Sequence, residues 1–259
     1  MFDIHTHVLP AIDDGPQTLE EALVTVRTLV DEGVAHIIAT PHFNDQYPHV
    51  SAREVRERVA FLQREVDAQH IKVRLWPGHE IHLDADIEES LLQGQASPLN
   101  AGPYVLLELS DYDFPVFLEG LLGQLRTKGF IPIIAHAERY FAVQQQPEIL
   151  VPLVEAGALL QITASSLVGL FGSHVQQTAE LLLRQNLAHV LASDSHSLTF
   201  RPPRFAEGIR AAEAIVGSER VHEMVFEVPR AILQGQPVSV PPVTLPSIRG
   251  KHRGWLPGR

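Results

Sequence analysis

Three stretches decide how this chain folds: FDIH (residues 2–5), TLEEALVTVRTLVDE (residues 18–32) and AHIIAT (residues 35–40). The first and third are apolar runs of strand length. The second places Leu19, Ala22, Leu23, Val26, Leu29 and Val30 along one helical face. Gly33 follows, where a left-handed residue can close the last helical turn without a Cβ clash. Strand, helix and strand in that order make a βα unit, because two parallel strands need a crossover between them.

The unit repeats. Strands are predicted near residues 2–5, 35–40, 72–80, 104–109, 130–136, 158–163 and 189–194. The intervening stretches read as helices, one over Ser51–Gln69 opened by a Ser51–Glu54 capping box, and Gly129 and Gly157 mark further helix-to-strand turns. Seven such units predict an α/β single domain of (β/α)-barrel type. No Gly-x-Gly-x-x-Gly follows a strand, which speaks against a dinucleotide-binding sheet. Residues 236–259 differ: they are Pro-rich, hold no acid and carry Arg249, Lys251, Arg253 and Arg259. The expected division is a domain over 1–235 and a basic tail or draped extension over 236–259.

Composition narrows the chemistry. The 259 residues include 14 His and no Cys. Disulfides, thiolate zinc sites, iron–sulfur clusters and cysteine nucleophiles are excluded. Twenty Lys+Arg against 31 Asp+Glu give a net charge of −11, which disfavours nucleic acid as a partner. No basic leader precedes the first strand and no apolar run reaches the length of a membrane span, so the expectation is a cytoplasmic protein without membrane insertion.

The histidines carry the functional signal. His5 and His7 end the first strand as an i, i+2 pair, and His42 follows the second. Glu80 ends the third strand, Glu108 the fourth and His136 the fifth. Asp194 and His196 end the seventh, and Asp14 sits in the loop after the first. In barrels of this type the C-terminal strand ends form one rim, so these nine nitrogen and oxygen donors converge on one mouth. Imidazoles with carboxylates and no thiolate suit manganese, iron or zinc, and nine donors exceed the needs of one ion, so two or three divalent ions are expected. Arg139 and Arg201 stand three and five residues beyond His136 and His196, in loops of the same rim. Their guanidinium forks match phosphate oxygens, which makes both candidates for catalysis and substrate binding.

His5-x-His7, Ile12-Asp13-Asp14-Gly15, Thr40-Pro41-His42, Gly78-x-Glu80, Glu108, His136-Ala137-Glu138-Arg139-Tyr140 and Ser193-Asp194-x-His196 resemble the polymerase-and-histidinol-phosphatase (PHP) superfamily. More narrowly they resemble its bacterial tyrosine-protein phosphatases of capsule and exopolysaccharide loci, over roughly residues 1–235. The resemblance implies a distorted seven-stranded TIM-like barrel and a trinuclear site, usually of manganese. One ion would take His5, His7, Glu80 and Asp194; a second Glu80, Glu108 and His136; a third Asp14, His42 and His196. It also implies that Arg139 and Arg201 hold substrate phosphate, and that the substrate is the phosphotyrosine cluster on a bacterial tyrosine kinase tail. The expected reaction is direct attack by metal-bound hydroxide, which needs no phosphoenzyme. The alternatives are another PHP phosphoesterase, such as a histidinol phosphatase or nuclease, and a non-catalytic phosphopeptide-binding scaffold.

Overall fold

The computed structural model describes residues 1–83, 86–110, 114–115 and 117–244. Among these, nine strands alternate with helices: β1 (Phe2–Thr6), β2 (His36–Ala39), β3 (His42–Phe43), β4 (Arg74–Pro77), β5 (Glu80–His82), β6 (Tyr104–Glu108), β7 (Ile131–Ile134), β8 (Leu159–Thr163) and β9 (Val190–Ala192). The helices are α1 (Leu19–Asp31), α2 (Ala52–Ala68), α3 (Ile87–Leu92), α4 (Leu118–Thr127), α5 (Phe141–Gln145), α6 (Val151–Glu155), α7 (Ser173–Arg184), α8 (Phe205–Val216), α9 (Ser218–His222) and α10 (Val228–Leu233).

All seven expected strand positions are present. The second and third, however, are each broken in two, at Pro41 and at Gly78-His79, so that β2 and β3 share one position and β4 and β5 another. At Pro41 the ladder loses a donor, and at Gly78 the chain packs so closely that a side chain would lie 2.8 Å from the Leu99 side chain. Every pairing is parallel: β1 to β2, β2 to β4, β3 to β5, then β5 through β9 in order. The two ends of this curled sheet meet where Asp194 N–H donates to His5 O (2.8 Å) and His7 N–H to Ser195 O (2.8 Å). The architecture is a distorted (β/α)7 barrel.

Alternation along the strands separates two cores. Phe2, Ile4, Ile38, Tyr104, Leu106, Ile133, Leu159 and Val190 fill the barrel, and Val228, Ile232 and Leu233 of α10 join them. Ile37, Val105, Leu107, Ile134, Leu160 and Leu191 face outward onto the helices. The helix ends follow the sequence closely. Thr18 caps α1 in a reciprocal box with Glu21, a device worth about 1 kcal/mol. At α2 only half of the expected box forms: Ser51 Oγ accepts from Glu54 N–H, while the Glu54 carboxylate turns to Arg58 Nε at 2.7 Å. Gly33, Gly129 and Gly157 all take positive φ just beyond helix ends.

Beyond α10 the chain runs along the barrel. Gln236 O accepts from Tyr104 Oη (2.6 Å), Val238 and Val240 pack on the inner cluster, and Thr244 N–H donates to Gln185 O (2.8 Å). Arg249, Lys251, Arg253 and Arg259 lie outside the described residues. Among the described residues no helix is long and apolar enough to cross a membrane.

Candidate metal centre

The C-terminal strand ends open on one buried pool of donors. The β1–β2 register shifts between Asp3 and Thr6, so Ile4 stays in the inner apolar cluster while His5 reaches Glu80, Asp194 and Gln161. His136 and Asp194 adopt positive φ (32° and 50°), which costs a non-glycine residue about 1–2 kcal/mol each. Both sit where a strand turns abruptly out of the barrel, and their side chains join the pool.

Glu80 lies at the centre. Its Oε1 faces His136 Nε2 at 2.8 Å and His5 Nε2 at 3.2 Å, and its Oε2 faces His42 Nδ1 at 3.1 Å and His7 Nε2 at 3.2 Å. Asp14 Oδ1 lies 3.4 Å from both His42 Nε2 and His196 Nε2. Glu108 borders His42 (3.6 Å) and His136 (3.7 Å). Asp194 Oδ1 stands 3.4 Å from His5 Nε2, 3.5 Å from His196 Nδ1 and 3.7 Å from His7 Nε2. Its Oδ2 accepts from Arg139 Nη1 at 2.7 Å and from Arg201 Nη2.

These spacings fit cations. Donors at about 2.1 Å from one ion are about 3.0 Å apart along an octahedral edge and about 3.4 Å along a tetrahedral one. Four groups have donor atoms all within 4.8 Å of one another: His7, Asp14, His42 and His196; His5, His7 and Glu80; His5, His136 and Asp194; and His42, Glu80 and Glu108. Together they contain all nine residues singled out from the sequence, and no others among the described residues. The grouping crosses the partition implied by the resemblance: His7 also stands with Asp14, and His136 with Asp194. Asp194 Oδ1 and His42 Nδ1 are buried without a hydrogen-bond partner, a costly arrangement that a cation relieves.

Protonation tells the same story. Burial alone would lower the His5 and His42 pKa values, but Glu80, with Asp194 at His5 and Asp14 at His42, carries them up to about 9 and about 12. Burial opposes ionisation of Glu80, Asp14 and Asp194, yet the surrounding imidazoles, and Arg201 at Asp194, hold all three well below the usual carboxylate range. Burial, reinforced by His7, takes His196 down to about 4. The pool therefore draws positive charge inward, and without metal it draws protons.

Several residues at the site escaped the sequence reading. Asp13 Oδ2 accepts from His7 Nδ1 (2.7 Å) and His42 N–H (3.2 Å), and its Oδ1 accepts from Gly15 N–H (3.0 Å). Gln161 Oε1 accepts from His5 Nδ1 (3.0 Å) and from the His136 backbone N–H (2.9 Å), tying the His5 imidazole to the His136 main chain from the one strand whose end carries no donor of the pool. Both hold histidines that face the pool through the opposite ring edge. His79, the neighbour of Glu80 in sequence, accepts from Ser97 N–H at 2.8 Å. His174 lies beside Gln144 and Gln145 in a cavity between α5 and α7.

Beside the pool opens a cleft of about 510 Å³ lined by Asp14, His42, Tyr47, His82, Glu108 and Ser110 among others. The Tyr47 ring lies nearly parallel to His42, with centroids 6.0 Å apart.

Residues 1–234 match the family model described as capsular polysaccharide synthesis, CpsB/CapC. Tyrosine-protein phosphatase YwqE of Bacillus subtilis (strain 168) is 35% identical over 238 residues, covering 92% of this chain and 93% of YwqE. Tyrosine-protein phosphatase CpsB of Streptococcus pneumoniae is 28% identical over 243 residues, covering 91% and 99%. A crystal structure from work on YwqE of B. subtilis and CpsB of S. pneumoniae, described as unique metal-dependent tyrosine phosphatases, superposes with a TM-score of 0.91 at 35% identity, over 94% of this chain and 98% of that one. At 17% identity and a TM-score of 0.54, the histidinol phosphate phosphatase of Lactococcus lactis shares the fold. The match spans the whole barrel and every strand end that feeds the donor pool, so the chain belongs to the CpsB/CapC family of capsular polysaccharide synthesis.

Proposed function

We propose that the chain is a metal-dependent protein-tyrosine phosphatase whose site is the Glu80 pool with Arg139 and Arg201. The observation that carries the reading is the surround of Glu80, a pair of imidazoles on each oxygen, one residue cluster away from two guanidiniums that share Asp194. His5, His7, Asp14, His42, Glu80, Glu108, His136, Asp194 and His196 would hold two or three divalent cations, manganese in the first instance, with iron or zinc compatible with the same donors. Such cations, when bound, supply a deprotonated water as nucleophile and countercharge for phosphoryl oxygens.

The protein's own part is positioning. Glu80, Asp14 and Asp194 stay ionised and bring the cations to the barrel mouth. Arg139 and Arg201 present N–H edges to the equatorial phosphate oxygens and offset the charge that develops there. A tyrosine phenolate leaves with a pKa of about 10, so the site needs no strong general acid for an aryl ester. Asp13 and Gln161 fix the imidazole planes and exclude alternative tautomers. The absence of cysteine fits a reaction in which water supplies the nucleophile and no phosphoenzyme forms.

The catalytic unit comprises residues 1–235, with 236–259 as an extension, and the substrate is a phosphotyrosine-bearing tail of a bacterial tyrosine kinase acting in the cytoplasm on polysaccharide synthesis. A panel of phosphotyrosine peptide, histidinol phosphate and single-stranded DNA tests this reading. Preferential hydrolysis of the peptide is expected; preference for either other substrate, or binding without turnover, contradicts it.

A further inference from the structure

β8 is the one barrel position whose C-terminal end contributes nothing to the donor pool, yet its loop reaches the site. After Thr163 the chain makes a short 3₁₀ turn over Ala164–Val168, then the segment Gly169-Leu170-Phe171-Gly172 leads into α7. Phe171 is half-buried, and its ring carries both arginines: the Arg139 guanidinium carbon lies 4.8 Å from the ring centroid and that of Arg201 5.9 Å.

The loop is held in place. Gly169 and Gly172 take φ of +79° and +91°, backbone that other residues rarely adopt. Leu170 N–H donates to Ser165 O (3.1 Å) and Gly172 N–H to Gly169 O (3.1 Å). Ser166 Oγ and Thr163 N–H both donate to Glu138 Oε1, at 2.6 and 3.0 Å. Glu138 is buried and adjoins Arg139, so the loop bearing Phe171 is bonded to the loop bearing one of the arginines it touches.

We infer that Phe171 is a positioning residue for phosphate: one aromatic ring on which Arg139 and Arg201 both rest, so that two like charges stay side by side with their N–H edges open to the substrate. The physical need is plain. Both guanidiniums lean on Asp194 Oδ2, one carboxylate that cannot neutralise two charges and whose Oδ1 faces the donor pool, and Arg201 Nη1 also stands 3.0 Å from His196 Nε2. A second carboxylate would hold the pair but would consume the N–H donors that phosphate requires. An aromatic face attracts each guanidinium through its ring quadrupole and uses none of those donors.

This inference rests on the phosphatase reading, and one experiment separates the two. Wild type, Phe171→Leu and Phe171→Tyr are loaded with manganese and compared for bound metal, for kcat and KM on an aryl phosphate, and for calorimetric affinity for inorganic phosphate. Phe171→Leu is expected to keep its metal, raise KM and weaken phosphate binding about tenfold, with a smaller change in kcat, while Phe171→Tyr stays within about twofold of wild type. Leucine with wild-type KM and phosphate affinity overturns the inference alone. Equal loss in Phe171→Leu and Phe171→Tyr, or loss of metal in Phe171→Leu, overturns it too by making the residue structural. A wild-type protein that neither hydrolyses aryl phosphate nor binds phosphate overturns the phosphatase reading with it.

Discussion

Replacing Asp13 by asparagine tests the idea that the pool is a metal site held from behind. The Asp13 carboxylate accepts three hydrogen bonds, two at Oδ2 from His7 Nδ1 and His42 N–H and one at Oδ1 from Gly15 N–H. An amide has one acceptor oxygen. If that oxygen keeps the His7 and His42 bonds, the new NH2 confronts Gly15 N–H, where a side chain would lie only 2.6 Å from His7 O. If the amide flips, it confronts His7 and His42 instead. Either way at least one buried donor loses its partner, at about 1–3 kcal/mol, and the charge that fixes the His7 tautomer is gone. Outer partners of this kind govern metal affinity by about 10–100-fold, or about 1.4–2.7 kcal/mol, and Asp13→Asn should fall in that range for manganese. The assay is a competition titration against a chelating dye, with turnover measured at saturating metal. Most of the wild-type kcat should return at saturation. An affinity within twofold of wild type would refute the reasoning, as would a variant that binds metal normally and stays inactive.

Arg139→Ala should lower turnover of an aryl phosphate by orders of magnitude while elemental analysis finds the metal content intact; coincident metal loss would make Arg139 a structural support for Asp194. His189 accepts from Leu160 N–H at 2.9 Å, and burial, with Arg220 nearby, takes its pKa down to about 3. The unfolded chain therefore binds the extra proton first, and stability should fall by about 1.4 kcal/mol per pH unit from this one group as pH drops from about 6.5 towards 3. Urea melts of wild type and His189→Gln across that window check the sign: the slope with pH should be shallower in the variant, and an unchanged slope would contradict it. Thiol-alkylating reagents should leave activity untouched, since the chain holds no cysteine.

Much of this was legible in the sequence because the relevant signals are local or repeat. Thr18, the apolar face of α1 and Gly33 delimit a βα unit without reference to anything distant. The donors are visible because they recur at one end of successive strands, and parallel pairing then carries them to one rim. What the sequence withheld depends on long-range geometry. The breaks at Pro41 and Gly78-His79 stand side by side in two neighbouring strand positions, with β2 pairing β4 before them and β3 pairing β5 after them, and period-two alternation does not record such an interruption. Asp13 reads as half of an Asp-Asp-Gly turn until His7 closes on it. Gln161 lies 156 residues from His5 and looks like a polar interruption in an apolar strand. That interruption was the available signal, since a buried amide in a barrel interior needs partners. The Ser51–Glu54 box failed for a surface reason: Glu54 had a second partner, Arg58, one turn along the same helix.

The central claim is that the rim around Glu80 holds divalent cations on which phosphotyrosine hydrolysis depends. Its most direct test is a single preparation, stripped with chelator and then reconstituted with manganese, followed by elemental analysis and by turnover of a phosphotyrosine peptide. Activity is expected to disappear with the metal, to return with two or three ions per chain, and to fail to return in Glu80→Gln. Full activity in the stripped protein, or full metal binding by Glu80→Gln, would contradict it.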